Sequence, residues 1–236
     1  MPGTTEVLNL YDYITTVSKN YAKETLTSNS KLGNYLKYCN NFIGITNGIS
    51  EVAFNPNKGI LMINHYNSTD QKGKIACKKY LLQNYGIQDC PCIYTMMCRL
   101  VDDKNINAVL EVLPLIKKNN GLLIIVGKGD PKYERLLKSY SIKDGLLFID
   151  RFASPMQAPA LLSGSDFYLS PSIYEPCGLM PMSACIYGTI PIVSQVGGLK
   201  DNFDEYNSIL IKDSLEQAIL EAIELYENKD LLFKKR

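Results

Sequence analysis

Residues 92–127 read CIYTMMCRLVDDKNINAVLEVLPLIKKNNGLLIIVG, and this stretch determines the fold class of the chain. Two short apolar runs, CIYTMMCRL and GLLIIVG, flank a longer stretch in which apolar residues recur at helical spacing. The apolar runs predict two buried strands. The stretch between them predicts a helix, which Pro114 is expected to kink because proline lacks a backbone N–H. A strand, a crossover helix and a second strand make up the repeating unit of parallel sheets.

The same alternation continues to the end of the sequence. Four more strands are predicted, at residues 145–150, 167–172, 190–195 and 208–213. The intervening helices are predicted at residues 131–142, 155–164, 178–188 and 214–230. Together these elements predict an α/β protein with a doubly wound, parallel, Rossmann-like sheet, in which ligands bind beyond the carboxyl ends of the strands.

The first ninety residues are less regular. ITTVS (14–18) predicts a strand, KNYAKETLT (19–27) a helix, and SNSKLGNYLK (28–37) a polar loop. STDQKGKIACKKYLLQNYGI (68–87) predicts a helix with a basic face, which we expect to be solvated.

Composition excludes several classes of partner. The 25 Lys and Arg residues nearly cancel 24 Asp and Glu, so neither nucleic acid nor an anionic membrane surface is an expected partner. No apolar stretch approaches the ~20 residues of a membrane span, and the first residues lack the pattern of a signal peptide. Seven cysteines, an odd number, lie partly in apolar segments and indicate reduced thiols in the cytoplasm. Cys90 and Cys92 have no second pair at zinc spacing, and His65 is the one histidine, so no metal site is expected.

The turn SIYEPCGL (172–179) carries the strongest chemical signal. It passes from a predicted strand directly into a helix, so the backbone N–H groups near Gly178 and Leu179 should point out of a helix N-terminus and form an anion site. Glu175 would repel a phosphate there, and we expect it to accept hydrogen bonds from sugar hydroxyls instead. Arg99 and Lys104 follow the first strand and could neutralise a departing diphosphate.

Each of these residues also has a simpler interpretation. Arg99 and Lys104 could be surface charges, and Glu175 a solvated loop residue. Cys177 could merely pack. The paired Gly197 and Gly198, after the strand at 190–195, could line a backbone concavity or simply turn the chain.

The combination of motifs is more specific than its parts. SIYEPCGL, YGTIPIV (187–193) and VGGLKD (196–201), in this order and spacing, resemble the glycogen and starch synthase family. TTVSKNYAKE (15–24), GITNGIS (44–50) and RLVDDK (99–104) match further segments of that family in register. The resemblance implies one lobe of a two-lobe GT-B glycosyltransferase fold. It also implies retaining transfer of glucose from ADP-glucose to the non-reducing end of an α-1,4-glucan, with no cofactor or metal.

The resemblance also assigns roles by position. Arg99 and Lys104 would hold the diphosphate, and Glu175 would bind a glucose hydroxyl. The nucleotide sugar would further contact the residues Asn47, Cys177, Gly178, Leu179, Gly197 and Gly198.

The family's first strand, its Lys-x-Gly-Gly-Leu loop and its amino-terminal-lobe histidine have no counterpart in this sequence. We therefore expect residues 1–46 to be a remnant of the amino-terminal, acceptor lobe and residues 47–236 to be the nucleotide-sugar-binding lobe. The missing lobe is then a candidate partner as a separate chain, and the expected location is the cytoplasm, or the plastid stroma in a plastid-bearing eukaryote. Two alternatives stay open, a non-catalytic nucleotide-sugar-binding module and a different retaining glycosyltransferase with a small acceptor.

Overall fold

A six-stranded parallel sheet forms the centre of the protein. The computed structural model of the 236-residue chain describes residue 8 and residues 11–39, 41–50, 54–60, 62–89 and 91–236. Two strands lie in the amino-terminal segment, β1 (Ile14–Thr16) and β2 (Phe42–Gly44). The central sheet contains β3 (Cys92–Leu100), β4 (Gly121–Gly129), β5 (Leu146–Ile149), β6 (Phe167–Ser170), β7 (Ile190–Ser194) and β8 (Ile209–Ile211). All six predicted strands of this region are present, which confirms the α/β prediction.

The strand order is β5-β4-β3-β6-β7-β8, and every neighbouring pair is parallel. The chain thus winds outward in one direction from β3 to β5, returns to the middle of the sheet at β6 and winds outward in the other direction. This is the doubly wound order of the Rossmann fold, and it places the topological switch point between β3 and β6.

Helices cover both faces of the central sheet, and two more, α1 and α2, lie in the amino-terminal segment. They are α1 (Lys19–Thr27), α2 (Lys31–Leu36), α3 (Lys72–Asn84), α4 (Ile106–Glu111), α5 (Leu113–Lys118), α6 (Pro131–Lys138), α7 (Gln157–Gly164), α8 (Leu179–Ile186), α9 (Leu199–Asn202), α10 (Leu215–Glu227) and α11 (Lys229–Lys235). Along β3, Tyr94 and Met96 pack into one hydrophobic core while Ile93 and Met97 pack into the other. Burial on both faces explains why the strands read as continuous apolar runs rather than as alternating ones. Among the described residues, no helix is long and apolar enough to cross a membrane.

Two helix predictions need refinement. The helix predicted after β3 is divided into α4 and α5, with Pro114 in the first turn of α5, where a missing N–H costs nothing. The helix predicted at 214–230 ends at Glu227. A separate helix, α11, then begins at Lys229 and is capped by Asn228, whose side chain accepts from the N–H of Leu231.

The amino-terminal segment holds a small sheet of its own. Strands β1 and β2 pair in parallel, and Ile14 lies opposite Phe42. The prediction of a polar loop at 28–37 was wrong, because Lys31–Leu36 form helix α2. Ser30 caps this helix by accepting from the N–H of Gly33, and Leu36 is buried. The division of the chain at residues 46/47 stays a prediction. Residues 1–7, 9, 10 and 40 of its first part lie outside the described residues.

The prediction of a solvated basic face on helix α3 is confirmed for the exposed Lys72 and Lys79 but was wrong for the other two lysines of the helix. Lys74 and Lys78, one turn apart, are buried. The Nζ atom of Lys74 lies 2.8–3.4 Å from four oxygens, two carbonyls in the last turn of α7 and two acceptors just after α8. Lys78 forms an ion pair with Asp166 at 2.5 Å. These two lysines therefore attach the helix to the sheet, and the sequence could not show it because their acceptors are about ninety or more residues away.

Candidate functional site

The candidate site is a cavity of about 390 Å³ at the carboxyl-end edge of the sheet. Strands β3 and β6 pair over only two positions, Tyr94 with Phe167 and Thr95 with Tyr168, and then separate. Where the pairing stops, the Tyr168 hydroxyl donates to the carbonyl of Met97 at 2.8 Å and keeps the crevice edge in place. Seven of the nine predicted site residues line this cavity: Asn47, Arg99, Lys104, Glu175, Cys177, Gly178 and Leu179.

The turn after β6 presents free backbone donors to the cavity. Gly178 has φ 85° and ψ 45°, in the left-handed region that favours glycine, and helix α8 begins at the next residue. No hydrogen bond between described residues uses the N–H groups of Gly178, Leu179 or Met180. Pro181 has no N–H at all, so the helix leaves three unpaired donors at its positive end. Such a helix terminus favours an anion.

Lys104 and Glu175 are joined to each other across the cavity. The Nζ atom of Lys104 lies 2.5 Å from Oε2 of Glu175, and only 13% and 17% of the two side chains are exposed. Lys104 ends a 3₁₀ turn (Asp102–Lys104), and Asn105 follows it at φ 56°. Glu175 belongs to the turn 171–178, whose Ser172 hydroxyl lies 3.5 Å from the same carboxylate oxygen. The predicted phosphate-binding cation and the predicted sugar-binding carboxylate therefore form one ion pair.

Arg99 is the uncommitted cation of the site. It is exposed on β3, two positions after Met97, and its guanidinium makes no hydrogen bond or ion pair with any residue that the structure describes. A guanidinium at a cavity rim with no internal partner is available to an anionic ligand.

The cavity cysteines are neutral thiols. Burial raises the pKa of Cys98 to about 12, although the positive charge of Lys104 opposes the rise. Burial also raises the pKa of Cys177, against hydrogen bonds from the Asn47 backbone and the Asn202 side chain. The one histidine, His65, is exposed and bonds at Nε2 to the Gly59 carbonyl. Neither thiol has the thiolate character that a nucleophile needs.

Gly197 and Gly198 lie outside the residues that line the cavity. Their N–H groups are already used, that of Gly197 by Glu24 Oε1 at 2.8 Å and that of Gly198 by the Glu175 carbonyl at 2.9 Å. A Cβ added at Gly198 would lie 2.4 Å from the Cα of Cys177. The glycine pair thus supports the turn 171–178 from behind.

Sequence reasoning missed three residues that hold this turn. Ser18 donates to the carbonyl of Pro176 at 2.7 Å, Asn202 donates to that of Cys177 at 2.8 Å, and Glu24 bonds Gly197. Asp201 lies just after the glycine pair, and its carboxylate accepts from Asn20. These partners are 25 to 181 residues apart, and no local pattern signals a contact at that separation.

The described cysteines are free thiols: Cys39, Cys77, Cys92, Cys98, Cys177 and Cys185. Cys90, and with it the Cys-Pro-Cys pair, lies outside the described residues. Within the described ranges, no group of three or more histidine, cysteine, aspartate or glutamate side chains could hold a metal ion.

Comparison with known proteins links this geometry to a family. Residues 79–236 match the family of glycosyl transferases group 1. A glycogen synthase of Aliivibrio fischeri (strain MJ11) is 36% identical over 216 residues, which are 88% of this chain and 43% of that protein. A glycogen synthase of Geotalea daltonii is 33% identical over 240 residues, 92% of this chain and 49% of that protein. The chain thus spans somewhat less than half the length of these relatives.

Solved structures show the same fold. The catalytic domain of starch synthase IV from Arabidopsis thaliana, bound to ADP and acarbose, superposes with a TM-score of 0.87 at 23% identity, covering 98% of this chain and 52% of that chain. Sucrose-phosphate synthase from Thermosynechococcus elongatus gives a TM-score of 0.69 at 20% identity, over 98% of this chain and 54% of that one.

Proposed function

Because the chain belongs to the glycosyl transferases group 1, we propose that it is the nucleotide-sugar-binding lobe of a glycogen or starch synthase. The reaction is transfer of glucose from ADP-glucose to the non-reducing end of an α-1,4-glucan with retention of configuration. One observation carries the proposal: three unpaired N–H donors of a helix terminus face the same cavity as Arg99 and Lys104. That arrangement suits a diphosphate.

The chemistry that these residues can supply is stabilisation of a leaving group. As the bond between glucose and diphosphate breaks, negative charge grows on the diphosphate oxygens. The N–H groups at Gly178 and Leu179, with the charges of Arg99 and Lys104, stabilise that charge. Glu175 then accepts from a glucose hydroxyl. No cofactor or metal is part of this proposal.

The remaining predicted residues serve the site in less direct ways. Cys177 and Asn47 line the cavity, where we expect Cys177 to act through its backbone and Asn47 to contact the sugar. Gly197 and Gly198 contribute by packing behind the turn 171–178, since their N–H groups are occupied.

A second polypeptide segment is proposed as the partner of residues 11–45. The side chains of Tyr11, Tyr13, Ile43 and Ile45 around the small sheet are 41–68% exposed. Two-stranded sheets are marginally stable alone, and parallel strands are normally covered on both faces. The relatives are about twice as long as this chain, and we propose that an acceptor lobe, on the same or a separate polypeptide, covers this surface. The proposed location is the cytoplasm, where the free thiols stay reduced.

Isothermal titration calorimetry with ADP tests the nucleotide site in the chain as given. The purified chain should bind ADP. Arg99→Ala should bind it about tenfold more weakly, because a hydrogen bond to a charged group contributes about 1.5–3 kcal/mol. Arg151→Ala removes an exposed arginine outside the cavity and serves as the matched control. Folded protein that binds no ADP at millimolar concentration would contradict the nucleotide site.

A transfer assay separates the synthase from the binding-module alternative. With radiolabelled ADP-glucose and glycogen, the chain alone should elongate nothing, because lobe closure and an acceptor site are both needed. Mixed with the amino-terminal half of a glycogen synthase relative, it should transfer glucose. ADP binding without transfer in the mixture favours a non-catalytic module, and transfer to a small acceptor but not to glycogen favours the other glycosyltransferase.

A further inference from the structure

Helix α1 is bonded to both loops that support the cavity. These are the EPCG loop, residues 171–178, and the glycine-pair loop, residues 195–198. Ser18, which precedes the helix, donates to the Pro176 carbonyl of the EPCG loop at 2.7 Å. Glu24, in the middle of the helix, accepts from the N–H of Gly197 at 2.8 Å. One short helix thus contacts both loops with polar groups.

The contact between helices α1 and α9 is reciprocal. The Asp201 carboxylate on α9 accepts from the backbone N–H and the side-chain amide of Asn20, both at 2.8 Å, at the N-terminus of α1. The Glu24 carboxylate on α1 accepts from Gly197, immediately before α9. Each helix therefore places a carboxylate at the positive end of the other, which is the favourable arrangement of charge and dipole. This fixes the helices relative to each other at two points.

The glycine-pair loop packs tightly against the EPCG loop, which lines the cavity. A Cβ added at Gly197 would lie 2.2 Å from the Glu175 carbonyl oxygen. The same carbonyl accepts from the N–H of Gly198 at 2.9 Å. The Glu24 side chain thus holds the Gly197 backbone, which packs directly against the Glu175 backbone. A shift of Gly197 must therefore move the EPCG loop.

We propose that Glu24 and Ser18 are positioning residues for the diphosphate site, and that α1 acts as a clamp holding the EPCG loop in its ligand-binding geometry. The inference rests on the proposed function for the identity of the ligand. Neither residue lines the cavity, so each acts through the loops. The donors that they place are the N–H groups of Gly178 and Leu179.

Ser18 also has an ordinary structural role, from which the clamp must be separated. Its side chain is fully buried and caps α1 by accepting from the N–H of Tyr21. Ser30 provides the matched comparison, since it caps helix α2 in the same way through Gly33. Among its described contacts, none reaches either loop.

Hydrogen exchange on the free chain tests the clamp without any ligand. In Glu24→Ala, amides of the EPCG and glycine-pair loops, Gly197 first, should exchange about tenfold faster or more, because their opening loses one charge-assisted bond. Glu24→Gln keeps an oxygen acceptor and should restore most of the protection. Lys23→Ala, an exposed neighbour on the same helix, should leave both loops unchanged. Equal loop exchange in Glu24→Ala and Lys23→Ala would overturn the clamp.

Titration with ADP then tests positioning. Glu24→Ala and Ser18→Ala should each weaken ADP binding about fivefold to tenfold, while Lys23→Ala and Ser30→Ala keep wild-type affinity. Faster loop exchange with unchanged ADP affinity would overturn the positioning role. If the exchange pattern appears but the wild-type chain binds no ADP, the proposed function and the ligand named here would be overturned. Equal loop exchange in the variants would overturn the clamp instead, so the two failures can be told apart.

Discussion

Removal of the Glu175 charge should strengthen ADP binding, although Glu175 lies in the site. In the unliganded protein, Glu175 holds the Nζ atom of Lys104 at 2.5 Å. A diphosphate that uses Lys104 must compete with this carboxylate and must also tolerate its negative charge nearby. Glu175→Gln keeps the size of the side chain and a hydrogen-bonding oxygen. It weakens both the competition for Lys104 and the repulsion of the diphosphate.

The magnitude follows from the character of the ion pair. A hydrogen bond between charged groups contributes about 1.5–3 kcal/mol net. Because 13% and 17% of the two side chains remain exposed, the lower end of that range applies. About 1.5 kcal/mol corresponds to roughly a tenfold gain in ADP affinity in Glu175→Gln. Reduced repulsion between like charges acts in the same direction.

Calorimetric titration of four proteins at fixed salt measures this effect: wild type, Glu175→Gln, Lys104→Met and the double variant. Lys104→Met should weaken ADP binding. If Glu175→Gln acts by releasing Lys104, its gain should shrink in the double variant, and this non-additivity measures the coupling. Glu205→Gln is the matched control, since Glu205 pairs with Lys212 on the surface, where 71% and 58% of the side chains are exposed.

Two results would refute this reasoning. Weaker ADP binding in Glu175→Gln would mean that the carboxylate orients Lys104 for the ligand instead of competing with it. An equal gain with and without Lys104 would mean that repulsion alone operates. A different ligand separates the sugar role, because ADP-glucose should lose affinity relative to ADP in Glu175→Gln if the carboxylate binds a glucose hydroxyl.

Two further predictions concern stability. Asp166→Asn should lower the free energy of unfolding by about 3 kcal/mol or more in urea at pH 7, because Lys78 and Arg236, each 2.5 Å from the carboxylate, would lose their counter-charge. Burial raises the pKa of Asp166, but these two cations outweigh burial and hold the pKa of Asp166 below its ordinary value. The stabilisation is therefore complete above about pH 4 and is lost as the pH falls through the lower pKa of the folded state. The free energies of unfolding of the variant and the wild type should accordingly converge in acid. Gly178→Ala should lower the free energy of unfolding by about 1–2 kcal/mol because Gly178 has a positive φ, and it should also weaken ADP binding. The control Gly48→Ala, where an added Cβ meets nothing within 4 Å, should change neither property. Equal stability of the two glycine variants would contradict the argument.

The central sheet could be predicted because its information is local. The run CIYTMMCRL predicted β3 with its observed bounds, Cys92–Leu100. Strand β4 extends two residues beyond the run GLLIIVG, and each of the four later runs contains an observed strand. A strand buried on both faces has to be apolar throughout, so one feature of the sequence encodes both its conformation and its burial. The candidate site followed in part for the same reason, since parallel strands bring their carboxyl ends to one edge.

The errors arose where long-range partners reverse a local expectation. A lysine-rich helix face normally meets water, yet Lys74 and Lys78 are buried because distant carbonyls and Asp166 accept their hydrogen bonds. Distant partners also use the N–H groups of Gly197 and Gly198, which bond to Glu24 and to the Glu175 carbonyl; contact of these glycines with a nucleotide sugar stays a prediction. The turn at 196–198 can be located in the sequence, while its bonding partners are set by the tertiary fold.

The contacts of helix α1 cross the predicted division at residues 46/47. Helix α1 belongs by sequence to the acceptor-lobe remnant, yet its polar contacts go to Pro176, Gly197 and Asp201 of the other part. Those contacts fix the loop that presents the unpaired N–H donors to the cavity. A fragment that begins at residue 47 would retain the central sheet, the cations and the helix terminus but would lose every bond that α1 makes to the EPCG and glycine-pair loops. The unit that presents the anion site therefore includes residues 18–24, and sequence similarity over 79–236 alone does not delimit it.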